Sequence, residues 1–116
     1  MPITSDVIRG HTDTIILAHL IQADSYGYQI NRDILKKTGK QYELKEATLY
    51  TAFRRLEKEE LIRSYWGNED LGARRRYYAV TDAGREAFAR YKAEWEEAKT
   101  MIDALIDVEE DKRDEG

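Results

Sequence analysis

The sequence predicts a mainly α protein with a small β-wing: three helices, a two-stranded ribbon and one long final helix. Three observations carry this. Residues 45–60, KEATLYTAFRRLEKEE, place Leu49, Ala52, Phe53 and Leu56 on one face at helical spacing. LIRSYW and ARRRYYAVT then alternate as strands on either side of a polar loop over 67–73. Beyond Thr81, the residues Phe88, Tyr91, Trp95, Ala98, Ile102 and Leu105 recur at intervals of 3, 4, 3, 4 and 3, the a/d pattern of a helix that buries a seam against another helix.

Each element has a local reason. A first helix covers Thr12 to about Ala23, with a possible start near Ser5 and a weak point at Gly10; Ile15, Ile16, Leu17 and Leu20 give it a broad apolar face. Ser25 is a natural N-cap for a second helix, YGYQINRDILKKT, which stops at Gly39 with Lys36 and Lys37 in its last turn. Ile30, Ile34 and Leu35 form its buried side, and Gly27 permits close packing near its start. The strands run Leu61–Tyr65 and Arg75–Val80. Thr81 caps the final helix, Asp82 suits its N-terminal dipole, and the helix runs to about Val108. This element order is that of a winged helix-turn-helix over residues 1–81, with a dimerisation helix over 82–108 and a charged tail over 109–116.

Composition narrows the function. A chain of 116 residues holds one small domain and an extra helix. It has no cysteine, which excludes disulfides, thiolate catalysis and Cys-ligated metals. Its longest apolar run, Ile15–Ala18, is too short to span a membrane and no signal-peptide core is present, so a cytoplasmic location is expected. Net charge is −4, which argues against nucleic acid, but its distribution reverses that. Residues 36–81 hold 11 Lys/Arg against 7 Asp/Glu (+4), whereas residues 82–116 hold 6 against 12 (−6). A basic middle beside an acidic C-terminal third is a footprint sorted by region.

That basic middle contains the third helix. Opposite its apolar face stand Ala47, Thr51, Arg54 and Lys58, flanked by Thr48, Tyr50 and Arg55. A small, hydroxyl-bearing, basic face suits the DNA major groove: Arg and Lys reach phosphates and guanine edges, Thr is a short donor and acceptor, and Ala admits the backbone. Alternation puts Arg75 on the wing face opposite Arg74 and Arg76, so the three cannot follow one phosphate track. Tyr65, Tyr77 and Tyr78 read as strand residues, and Trp66 as a packed wing residue. The seam from Phe88 to Leu105 spans 17 residues, roughly 26 Å of helix, more than so small a domain covers by itself. A two-fold dimer joined along it, with help from the first helix, matches palindromic half-sites.

YGYQI, LKEATLYTAFRRLEKEELI and SYWGNEDLGARRRYYAVTDAG resemble the PadR family of bacterial winged-helix transcriptional regulators, over about residues 10–108. The single C-terminal helix is similar to that of the short subgroup containing multidrug-responsive repressors. The resemblance implies a homodimeric repressor of double-stranded DNA, released by a small molecule. It implies DNA contacts from Lys45, Thr48, Tyr50, Thr51, Arg54, Arg74 and Arg75. It also implies a site for planar aromatic ligands at Trp95 and its symmetry mate, with Phe88 and Tyr91 nearby. Lys92 and Lys99, three residues before and four after Trp95, favour a neutral or anionic guest over a cation.

His11 and His19 with Asp13 lack the supporting cluster of a metal site. No cofactor is expected. Catalysis has no support in the sequence, which carries neither a Gly-rich phosphate loop nor a nucleophile paired with a base. The alternative to a repressor is a winged-helix protein–protein module, for which the acidic net charge is the best support.

Overall fold

A computed structural model describes residues 5–67 and 74–109; the wing loop 68–73 and the tail 110–116 lie outside the described residues. The elements are α1 (Ser5–Arg9), α2 (Thr12–Gln22), α3 (Gly27–Lys37), α4 (Glu46–Lys58), β1 (Ile62–Trp66), β2 (Arg76–Val80) and α5 (Asp82–Ile106). The weak point at Gly10 is a real break between α1 and α2. β1 and β2 form an antiparallel ribbon with Ser64 opposite Tyr78 and Trp66 opposite Arg76.

One core joins the elements. Ile16, Leu17 and Leu20 of α2 meet Ile30 and Ile34 of α3, Leu49, Phe53 and Leu56 of α4, and Ile62 and Tyr78 of the ribbon. The four apolar positions expected of α4 are its four buried ones. Tyr78 lies stacked on Phe53, with ring centroids 3.9 Å apart and planes 16° from parallel. The turn into α4 is set by Asn31, which donates to Leu44 O at 2.8 Å and accepts from Leu44 N at 2.9 Å. Leu44 is thereby buried beneath the α3–α4 connection.

Ser25 departs from its expected role. Tyr26 is the N-cap of α3 and makes no side-chain cap bond, while Ser25 N donates to Tyr78 O and Tyr78 N donates to Ser25 O. An exposed edge of β2 needs backbone partners, and Ser25 provides them as a one-residue bridge. Thr81 does cap α5: its Oγ1 accepts from Gly84 N at 3.0 Å and donates to Glu60 O at 2.8 Å. Gly84 is required there, because a Cβ would lie 2.1 Å from Leu61 O. His19 Nε2 lies 2.8 Å from Asp33 Oδ2, joining α2 to α3, and this bond holds the Asp33 carboxyl below its ordinary pKa.

α5 is the exception to compactness. Only Gly84 and Ala87 of its residues are buried, with Phe88 and Tyr91 packed at the edge of the core. The second half extends beyond the domain and exposes Met101, Ile102, Leu105 and Ile106. No helix among the described residues is long and apolar enough to cross a membrane.

Candidate nucleic-acid interface and the adjoining cleft

The surface of α4 carries the residues that point to DNA. Ala47, Thr51, Arg54 and Lys58 are all exposed, and Lys45 is exposed at the N-cap position. Thr48 is half-buried on the flank. Arg54 donates to Thr51 Oγ1 at 3.3 Å, which lays the guanidinium along the exposed face. Tyr50 packs edge-on against Phe53, with centroids 5.5 Å apart. A Cβ at Gly27 would lie 2.6 Å from the Tyr50 hydroxyl. The glycine at the start of α3 therefore makes room for a tyrosine of α4, and the Tyr50 ring, 38% exposed, straddles core and surface.

The wing sorts its arginines by face, as strand alternation requires. The Arg74 and Arg76 guanidiniums lie 5.2 and 5.6 Å from the Trp66 ring centre. Arg75 lies on the other side, 4.8 Å from the ring centre of Tyr26. On that side Tyr65 stacks on Tyr77, and the Tyr65 hydroxyl donates to Asp24. Trp66 differs from expectation: it is 53% exposed rather than packed. Trp66 pairs with Arg76 at the end of the ribbon away from Ile62 and Val80, and it lies outside the core cluster. Arg76 instead returns to α4: it donates to Ser64 Oγ at 2.8 Å and lies 3.8 Å from Glu57 Oε2.

Arg55, on the flank of α4, turns away from the face that carries Thr51 and Arg54. It pairs with Asp13 at the start of α2, and that bond raises its pKa further. The pair borders a cleft of about 440 Å³ whose lining includes Arg9, His11, Tyr91, Glu94, Trp95 and Ala98. Trp95, 37% exposed, meets the His11 ring edge-on at 4.7 Å. Of the residues expected around a ligand, Tyr91 and Trp95 therefore come together. Phe88 packs on the core, and neither Lys92 nor Lys99 lines the cleft. Lys99 pairs with Glu96 at 3.0 Å. The charges at the cleft are Arg9 and Arg55 against Asp13 and Glu94. The two lysines thus do not set a charge preference within one protomer, and the balanced set that replaces them favours neither sign. Sequence reasoning missed His11 and Arg55 here, because neither is near Trp95 in the chain.

The family model described as the transcriptional regulator PadR-like family matches residues 16–90. An uncharacterized protein from Lysinibacillus sphaericus is 42% identical over 105 residues, covering 90% of this chain and 96% of its own length. A transcriptional regulator from Clostridium thermocellum is similar in structure, with a TM-score of 0.82 and 48% identity over 90% of this chain and 99% of that one. A PadR family transcription regulator from hypervirulent Clostridium difficile has a TM-score of 0.72 and 34% identity, covering 84% and 99% of the two chains. With the helical core, the two-stranded wing and the long α5 in the same arrangement, the chain belongs to the PadR-like family of transcriptional regulators.

Proposed function

We propose that this DNA-binding regulator is a homodimeric, cytoplasmic repressor that leaves its operator when a planar aromatic molecule binds at the dimer centre. The observation that carries the dimer is the far half of α5, where Ile102 is 49% and Leu105 79% exposed. Burying such side chains against a second copy is worth roughly 1.5–3 kcal/mol each. The seam then divides its work: Phe88 and Tyr91 hold α5 to its own domain, while Trp95, Ala98, Ile102 and Leu105 face the partner. Two α4 helices about 34 Å apart would enter successive major grooves of a pseudo-palindromic site. Lys45, Thr48, Tyr50, Thr51 and Arg54 supply the helix contacts, with Arg74 and Arg75 from the wing.

DNA binding is tested through salt and Arg54. Affinity for duplex DNA should fall steeply with salt, each neutralised phosphate adding close to −0.9 to the log–log slope. Arg54→Ala should weaken binding with an unchanged Tm, because the side chain is exposed and its hydrogen bond goes to Thr51 on the same exposed face. A flat salt dependence, or an early-melting Arg54→Ala protein, would contradict the assignment.

The ligand reading rests on Trp95 and on Arg55, which belongs to both the recognition helix and the cleft. A guest stacked on Trp95 and Tyr91 would lie beside Arg55 of α4. It lowers DNA affinity only by favouring the spacing of α4 helices that does not fit DNA. Titration of neutral, anionic and cationic flat aromatics, followed by Trp fluorescence, should yield binding that Trp95→Ala abolishes while the protein stays dimeric. Binding that persists in Trp95→Ala would place the ligand elsewhere.

A further inference from the structure

Trp66, Arg74 and Arg76 form a group on the wing whose arrangement goes beyond a pair of basic contacts. The indole is a large aromatic left half in solvent, and both guanidiniums lie over it. Their charges are not equivalent. Arg76 is matched by Glu57 of α4, and Ser64 Oγ joins the two by donating to Glu57 Oε2 at 2.6 Å and accepting from Arg76. Among the described residues Arg74 has no carboxylate partner, and its guanidinium rests over the Trp66 ring. A flexible cation resting on a π-face loses much of its rotamer freedom before any anion arrives.

We propose that Trp66 is the positioning residue of the wing. It holds Arg74 ready for a DNA phosphate, while Arg76 and Glu57 tie the platform to the recognition helix. The inference rests on the DNA-binding reading above and adds a division of labour among the arginines: Arg74 contacts phosphate and Arg76 is a strut. The same link explains how the wing keeps its angle to α4, since Glu57 lies three residues beyond Arg54 on that helix.

The test uses the full-length protein and a duplex it selects from a randomised pool. Trp66→Ala and Arg74→Ala are each expected to lower affinity by roughly 5- to 20-fold, the range of one or two lost cation–π or phosphate contacts. Each should also reduce the salt slope by about 2, one phosphate contact being lost from each protomer of the dimer. The double variant should be no weaker than either single one, because the two residues act as one unit. Trp66→Phe, which keeps an aromatic face, should restore most of the loss. Melting temperature should be unchanged in Trp66→Ala, as the ring fills no core. Additive losses, an unchanged salt slope in Trp66→Ala, or no rescue by Phe would overturn this inference while wild-type binding leaves the DNA reading intact. Absence of duplex binding by the wild type would overturn both.

Discussion

Truncation of Phe53 to alanine should destabilise the protein by ~3–5 kcal/mol, the usual cost of removing a buried aromatic. Phe53 is 1% exposed and lies where α4 meets the ribbon. Its ring stacks on Tyr78 of β2 and meets Tyr50 edge-on, so its loss removes the packing that sets the ribbon against α4. The cavity also borders Tyr78, whose phenol burial pushes above its ordinary pKa. Water reaching that hydroxyl would loosen the ribbon further. Thermal unfolding should therefore move down by more than ~10 °C. A Phe53→Ala protein that melted like wild type would show that the two faces of α4 are wrongly assigned. The contrast with Arg54, the next residue in the chain, is the sharpest local test: one side chain is expected to serve stability and its neighbour binding.

Placing an aspartate at Ile102 should dissociate the proposed dimer and reduce DNA affinity by at least ~100-fold, the scale of avidity lost when two linked sites become one. The side chain is half exposed in the single chain and lies outside the core cluster. A charge there leaves the fold of one domain intact but must be desolvated, unpaired, in a helical seam. Sedimentation at micromolar concentration should show a monomer whose helix content matches wild type. A dimeric Ile102→Asp protein would move the interface off this seam, and a monomer with undiminished affinity would remove the need for two half-sites.

Much of this architecture is legible along the chain because it depends on short-range periodicity. Leu49, Ala52, Phe53 and Leu56 announce their face at helical spacing whatever they pack against. Thr81 caps α5 through a contact only three residues away. The sorting of Arg75 from Arg74 and Arg76 follows from alternation alone, and the exposed basic face of α4 is the complement of its apolar one. The 3-4-3-4-3 seam likewise marks α5 as a helix with more apolar surface than its own domain covers.

Contacts between distant segments obey no such rule. Ser25 has the side chain of an N-cap, yet β2 recruits its backbone because an unpaired strand edge is the costlier defect. Arg55 looks like another basic residue of the recognition helix until Asp13, 42 residues away, draws it into the cleft. His11 meets Trp95 only because α2 and α5 pack side by side. Lys92 and Lys99 are neighbours of Trp95 by sequence spacing, but the rotation of α5 on its domain leaves them outside the cleft. Local chemistry thus determined the elements, their faces and the family of the chain. Only the packing of those elements decided which charges share a cleft and which wing arginine is paired with Glu57. Side-chain partnership depends on where helices and strands come to rest, and that is set by burial of the whole core rather than by any one segment.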